Sequence, residues 1–421
     1  MLSLNRIGVA QILSAMRECM HTRRSGPLRL LMAEAAFLSG RFDLALQGYQ
    51  NLAEDPKLQP RAQLMSDWIN FHRGDFSIGW PRYPGAEFEE PSLPLTETQK
   101  ESVRVSDPRQ PDELTTSLGL QRWTGSGEPS PPLLVWFNFK NSLGGEILVS
   151  RLISTFQARY QVPLVLACNP RSVALLRVSF PQCCVVDNTG DLAGLAGSCK
   201  QYVLARDLLK LLVKRESDFA DISRERMTVP SATEANPRRI SRPKVAISWR
   251  TTNHAQGRFR NLPINPFAKI LARHDIEWHV AQHGEIERDV AAFRKLAPSA
   301  TIHLNTLHPT GDLSKLATEL TAMDAVVTID NTLLHLAGSL GLPTLAMISV
   351  PGYWAWPCQG QGSRWYESVS ILRQQKPGDW SNVLSDLEDA LTRLIHSQEK
   401  HKASRPNQEL NQRDSQPSSA F

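Results

Sequence analysis

The run Ala325-Val-Val-Thr-Ile-Asp330-Asn-Thr332-Leu-Leu-His335-Leu-Ala-Gly338-Ser-Leu-Gly341-Leu-Pro343 narrows the choice of fold more than any other part of the chain. A buried strand ends at Asp330 and a helix starts within two residues, the corner of an α/β protein. The first amides of such a helix have no intrahelical acceptor and carry the positive end of its dipole. Asn331, Thr332 and Leu333 therefore open a ready anion site. Thr332 adds a hydroxyl donor, and His335 projects from the first turn toward the same opening. Asp330 or Asn331 also suits the plain role of helix cap, with His335 packed inside. Gly338 and Gly341 allow close packing and a sharp exit, and Pro343 leads into the next strand.

The same alternation extends over the rest of the second half. Strands are predicted at Val245–Trp249, Trp278–Ala281, Ile302–Leu304, Ala325–Ile329 and Thr344–Ile348. Helices are predicted at Phe267–Arg273, Ile286–Leu296, Leu313–Ala322, Thr332–Leu340 and Ser381–Ile395. The first half gives strands at Leu133–Phe137, Val162–Ala167 and Cys184–Val186, with helices at Glu146–Tyr160 and Ser172–Val178. Gln201–Leu212 reads either as strand then helix or as all helix. The fold class is thus α/β, a pair of Rossmann-like doubly wound domains, with ligands expected in the cleft between their strands' carboxyl ends.

Before these halves lies a repeat. Phe37 to Tyr49 returns as Phe71 to Tyr83, with Gly40 and Gly74 34 residues apart, the tetratricopeptide period. Helices are expected at 11–22, Leu28–Leu38, Phe42–Leu52 and Arg61–Phe71, and the short stack must bury its last face against the following domain. The expected organisation is a helical segment at 1–85, a connecting arm at 86–130, a first half at 131–225, a linker at 226–242, a second half at 243–397 and a disordered tail at 398–421. Forty-seven basic against forty-two acidic residues leave +5 over 421 residues, too little to imply a nucleic-acid partner. No apolar run reaches transmembrane length, and Ile7–Met16 is a poor signal peptide. Six cysteines without C-x-x-C spacing argue for reduced thiols, against zinc, and for a cytoplasmic location. His254, His274, His279 and His283 form no helical i, i+4 pair with an acid, so no metal box is expected. The aromatic stretch Tyr353-Trp354-Ala-Trp356, with Trp365-Tyr366, is expected to pack against the last helix, or else to stack on a sugar or base.

Asp330–Pro343 resembles the D-[ST]-x-x-x-H-x-A-G-x-x-G-x-P signature of heptosyltransferase-like bacterial glycosyltransferases, glycosyltransferase family 9, and more closely their tetratricopeptide-fused relatives. Further pieces occur in the same order. Gly79-Trp80-Pro-Arg-Tyr83 resembles the close of the repeat region, and Ser142-Leu-Gly144 the Gly-rich loop of the first half. Val245–Trp249, Arg260-Asn-Leu-Pro263, Gln282-His-Gly284, Asp312-Leu and Arg373-Gln to Gly378-Asp379-Trp380 are similar to successive elements of the second half.

The resemblance implies a GT-B architecture and a metal-independent transfer, without cofactor, of a sugar from a nucleotide-diphosphate donor to a hydroxyl on a glycan, a lipid-linked saccharide or a protein. Arg250, Arg260 and the helix start at Thr332 would meet the diphosphate. Gln282 would read the base, and Asp312, Asp330, Asn331, Leu333 and His335 would complete the donor side. Ser142, Gly144 and Gly145 would form the acceptor-side loop. In the family this loop ends G/S-L-G-D, with the Asp as general base; here Gly145 stands at that place and Glu146 follows. Glu146 is then either the shifted base or an acid favoured by the helix dipole. The alternative function is a degenerate scaffold that binds a nucleotide sugar, or a protein through its repeat helices. An epimerase of the same shape would need paired carboxylates that are not evident.

Overall fold

The computed structural model describes residues 26–78, 118–139, 142–189, 198–229, 242–251, 257, 259–272 and 275–404, with side chains described to residue 395. The helix expected at 11–22, the Gly79–Tyr83 motif, most of the arm and linker, His254, His274 and the extreme tail lie outside the described residues.

Three helices come first: α1 (Gly26–Leu38), α2 (Phe42–Gln50) and α3 (Gln59–Arg73). Gly40 and Gly74 both take a positive φ, +73° and +84°, where a side chain would strain the turn that ends each helix. This helical unit docks chiefly on the chain's far end. His72 lies between the carbonyls of Gly352 and Trp356, and Arg364 donates to the Phe71 carbonyl.

The first lobe is a parallel sheet ordered β1-β5-β2-β3-β4. Its strands are β1 (Gln121–Arg122), β2 (Leu133–Trp136), β3 (Leu164–Cys168), β4 (Cys184–Asp187) and β5 (Gln201–Leu204). Gln201–Leu212 resolves as strand then helix. β1 falls in the stretch read as a connecting arm: two residues are too few to show a period, and pairing with β5 alone makes them a strand. Helices α4 (Leu143–Ser150), α5 (Ile153–Tyr160), α6 (Pro170–Ser179) and α7 (Asp207–Leu212) belong to this lobe, and a short α8 (Phe219–Ile222) follows.

The second lobe has strands β6 (Lys244–Ser248), β7 (Glu277–Val280), β8 (Thr301–His303), β9 (Ala325–Ile329), β10 (Thr344–Ile348) and β11 (Val369–Arg373). Its helices are α9 (Ile264–Leu271), α10 (Glu287–Leu296), α11 (Leu313–Leu320), α12 (Thr332–Ser339) and α13 (Ser381–Ser404). The last runs past the point where the polar tail was expected to begin. The order β11-β10-β9-β6-β7-β8, all parallel, is the doubly wound dinucleotide-type arrangement, and its direction reverses between β6 and β9. That reversal opens a crevice beyond Ser248 and Ile329, the usual ligand position in such sheets. The lobes meet through α4 on α12 and α6 on α11. One apolar core that includes Val135, Ile147, Val326 and Leu336 runs through both lobes and the helical unit.

Candidate active site

β9 is buried along its whole length and delivers Asp330 and Asn331 to the crevice. Asn331 caps α12: its Oδ1 accepts the amides of Leu333 and Leu334 at 3.0 and 3.4 Å, and the Thr328 hydroxyl at 3.1 Å. Its Nδ2 donates to Ser248 Oγ at 2.8 Å, which ties the ends of β6 and β9 together. The Leu333 amide, expected to meet an anion, is therefore already satisfied. Asn331 stands where the resembling signature has Ser or Thr, so the hydroxyl at this corner belongs to Thr332, which is half-buried and has no hydrogen-bond partner among the described residues.

Gln282 is equally occupied. Its Oε1 accepts from Ser248 Oγ and the amides of Trp249 and Arg250, at 2.9 to 3.0 Å, and its Nε2 donates to the carbonyls of Arg250 and His283. It clamps the end of β6 rather than presenting an edge to a base. Asp312 accepts the Ser314 amide at 2.6 Å and caps α11, an exposed place outside the corner.

Beside the start of α12, Asp330 is 3 % exposed. Its Oδ2 lies 3.4 Å from Arg260 Nη2, and its Oδ1 lies 3.9 Å from His335 Nε2. Arg260 also reaches the Asp330 carbonyl at 3.5 Å and stands over the Tyr353 ring. The His335 ring stacks on Trp356 and sets its Nδ1 2.9 Å from the Tyr366 hydroxyl. Burial pushes the His335 imidazole down to about 4 against the pull of Asp330, with Arg260 adding to the burial. The ring is neutral at pH 7. Tyr366 in turn lies under the buried Arg151 guanidinium, 4.8 Å from its ring centre. Of the aromatic stretch, Trp356 and Tyr366 thus line the back of His335, while Tyr353 and Trp354 pack on Trp68 and Phe71 of the helical unit. Their partners are α3 and α12, not the last helix.

The Gly-rich loop of the first lobe faces this corner. A Cβ placed on Gly144 would stand 2.7 Å from the His335 ring and 3.6 Å from Thr332 Cα, so only glycine lets the lobes approach this closely. Ser142 caps α4 by accepting the Gly145 amide at 3.2 Å. A Cβ on Gly145 would meet Ser142 Oγ at 3.0 Å and the Phe139 ring at 3.1 Å, which leaves no space for the aspartate of the resembling motif without a shift of the cap. Glu146 turns away from the corner. It is 2 % exposed, and its two oxygens accept the Asn169 amide at 3.1 and 3.3 Å. Burial pushes its carboxyl up to about 7, against the Ser172 hydroxyl and the Asn169 amide, which favour the anion. Glu146, expected either as the shifted base or as an acid favoured by the helix dipole, thus has its carboxylate on the start of α6.

Basic groups gather along the cleft. Arg250 pairs with Asp289 at 3.4 Å. Arg171 crosses from the first lobe to the carbonyls of Pro309 and Gly311, at 2.7 and 2.9 Å. His283 is held below its ordinary value by burial and by the charges of Arg171 and Arg250. Arg171 was invisible as a site residue, because the first turn of α6 gives no sign of which lobe it will meet.

Residues 204–352 match the family model described as glycosyltransferase family 9 (heptosyltransferase). No curated protein matches the sequence. Solved structures that the chain matches include the ADP-heptose lps heptosyltransferase II of E. coli, with 13% identity, TM-score 0.44, and coverage of 63% of this chain and 99% of that one. The glycosyltransferase family 9 protein of Veillonella parvula has 9% identity, TM-score 0.42, and coverage of 63% and 96%. The iron-containing dodecameric glycosyltransferase TibC of enterotoxigenic E. coli has 12% identity, TM-score 0.41, and coverage of 66% and 78%. The family-model match spans about a third of the chain, from the end of β5 to just past β10, and over this stretch, which is chiefly the second lobe, the chain is similar to glycosyltransferase family 9.

Proposed function

We propose that the corner from Asp330 to Leu333 holds the diphosphate of the donor, with Thr332 and Arg260 as its direct contacts. Arg250 supports them from the same lobe, and Arg171 from the facing one. One observation carries this reading: the Gly144 loop meets Thr332 and His335 across the cleft, at the switch point where Asp330 fixes Arg260 beside the start of α12. Transfer forms a bond between the acceptor oxygen and the anomeric carbon and breaks the bond from that carbon to the diphosphate. The acceptor hydroxyl releases its proton to solvent or to the departing diphosphate, and the leaving nucleotide takes the electron pair of the broken bond. Preorganised donors at the corner lower the barrier because the negative charge grows there. No catalytic metal enters this scheme.

Asp330 acts as a positioning residue for Arg260, and neutral His335 fixes the floor of the corner against Trp356 and Tyr366. Glu146 orders the rim of the acceptor lobe through the Asn169 amide. The acceptor is a hydroxyl of a glycan, lipid-linked saccharide or protein, placed at the Ser142–Gly145 side, and the helical unit is a docking face for a protein partner. A cytoplasmic setting agrees with the unpaired thiols of Cys168, Cys183, Cys184, Cys199 and Cys358, and no helix among the described residues is long and apolar enough to cross a membrane.

The test is a thermal-shift and calorimetric screen of nucleotide-diphosphate sugars, with and without added divalent metal, followed by transfer assays on an acceptor panel. The expected result is one donor that raises Tm without metal and is lost in Arg260→Ala. Binding with no transfer to any acceptor would favour the scaffold reading. Absence of binding by every donor would overturn the transferase reading and the nucleotide-sugar form of the scaffold.

A further inference from the structure

We propose a second, structural metal site on the second lobe, formed by Glu277, His279 and His303 and suited to a divalent first-row transition ion such as Zn²⁺. The site is separate from the corner and independent of the reading given above. Glu277 and His279 are two residues apart on β7, so the pleat sends both side chains to one face. His303 lies directly across from His279 on β8 in the parallel register. One carboxylate oxygen and one nitrogen from each ring fall within 4.8 Å of one another.

These donor atoms are not explained by pairing among themselves. Glu277 Oε2 is 4.0 Å from His279 Nε2 and 3.7 Å from His303 Nε2, both beyond hydrogen-bond reach. Both Nε2 atoms are buried and have no hydrogen-bond partner among the described residues, and His279 as a residue is 7 % exposed. The two rings stack with centres 4.6 Å apart and planes 20° from parallel, so side-chain rotation is needed to turn both lone pairs onto one ion. Leaving such atoms unmatched is costly, and a shared cation satisfies all three at once. A tetrahedral ion with bonds of about 2.1 Å holds its ligands about 3.4 Å apart, which rotations of these side chains can reach. Two imidazoles and a carboxylate suit zinc and its neighbours rather than magnesium or calcium.

The outer shell is also present. His279 Nδ1 lies 2.9 Å from Thr306 Oγ1. With the proton on Nδ1 donated to that hydroxyl, the Nε2 lone pair is turned to the ion, the usual way a ligating histidine is oriented. β8 is the edge strand of the sheet. The loop after it carries Thr306, and then the Pro309 and Gly311 carbonyls that Arg171 grips from the other lobe. Metal at this place staples the edge strand and stiffens the segment on which the lobes meet. It stands about 10 Å along β7 from Gln282, too far to touch a donor at the corner.

The experiment uses the full chain prepared without a polyhistidine tag, stripped with chelator and titrated with Zn²⁺ and with Co²⁺ as a spectroscopic probe. The expected result is stoichiometric uptake, a raised Tm, and cobalt absorption in the visible typical of a low-coordinate site. His303→Gln and Glu277→Gln should each abolish the cobalt signal with unchanged circular dichroism. Thr306→Val, which keeps all three ligands, should weaken binding roughly 10- to 100-fold. Nucleotide-sugar binding measured on the same samples should persist in His303→Gln, which separates this site from the donor corner. No uptake by the unsubstituted chain, or equal uptake and equal Tm gain in both ligand variants, overturns the proposal.

Discussion

The two lobes place a carboxylate at similar points and use it in opposite ways. In the first lobe, Glu146 opens α4 and folds back onto the Asn169 amide, inside its own domain. In the second, Asp330 ends β9 and keeps its carboxylate beside Arg260 and His335. Burial is nearly equal, so exposure does not separate them. The partner does. Asn169 is a neutral backbone donor, and the Glu146 carboxyl rises to about 7. Asp330 faces the Arg260 guanidinium and holds it in place at the start of α12. At the corner itself the second lobe thus supplies the charged pair, and the first lobe supplies close backbone contact through Gly144.

The sharpest way to break this contrast is Arg260→Ala. It should lower kcat/KM by roughly 10² to 10³, the scale of losing one preorganised donor. It should also destabilise the fold by about 3 kcal/mol, because Asp330 is left buried without its counter-ion. Arg260→Ala combined with Asp330→Asn should recover stability in denaturant titrations but not turnover. Recovery of both would show that the pair is structural only.

Glu146→Gln tests the other lobe. Because the folded-state pKa lies above the usual value, Glu146 stabilises the fold below about pH 4.5 relative to its effect at higher pH, and that contribution is lost as pH rises to about 7. The unfolding free energy of the variant minus that of the parent should therefore increase by about 3 kcal/mol from about pH 4 to about pH 8. The buried His72 and His335, both held near 4, shift stability the opposite way, favouring the fold as pH rises from about 4 to 6.5. They are common to both proteins and cancel in the difference. Turnover should remain within a few-fold; a loss of roughly 10²-fold or more would restore Glu146 as the base.

The smallest effect belongs to Asn331→Ala, which removes the cap of α12. A loss of about 1 kcal/mol is expected, with weaker donor binding because the ends of β6 and β9 are no longer tied. Asn331→Ser should recover much of the stability. Equal loss in both would mean that the bond to Ser248, rather than the cap, holds the corner.

Much of the framework was legible. Ala325–Ile329 and Thr344–Ile348 were read to the residue, since an unbroken apolar run bounded by turn signals has few alternatives. β11 has no counterpart among the strands predicted from the pattern, because the exposed Ser370 interrupts its short apolar run. β8 was read at Ile302–Leu304 but lies at Thr301–His303. At the sheet's edge a small shift in bounds is poorly constrained by pattern, and that His303 pairs with His279 depends on a register between β7 and β8 that neither strand's own pattern records. The Gly145 departure was visible, but the steric reason for it, Phe139 and the Ser142 cap, was not.

The order of strands and helices, the corner at Asp330 and the helix start at Thr332 follow from local patterning, because hydrophobic period and capping chemistry act over a few residues. Which polar atoms remain available for a ligand was decided only by the packed chain. Gln282 is used up by Ser248, 34 residues away, and Arg260 is held at Asp330 from a distance of 70. Hydrogen bonds and ion pairs over such separations form only after the sheet has brought its strand ends together, and nothing in the neighbouring sequence records them.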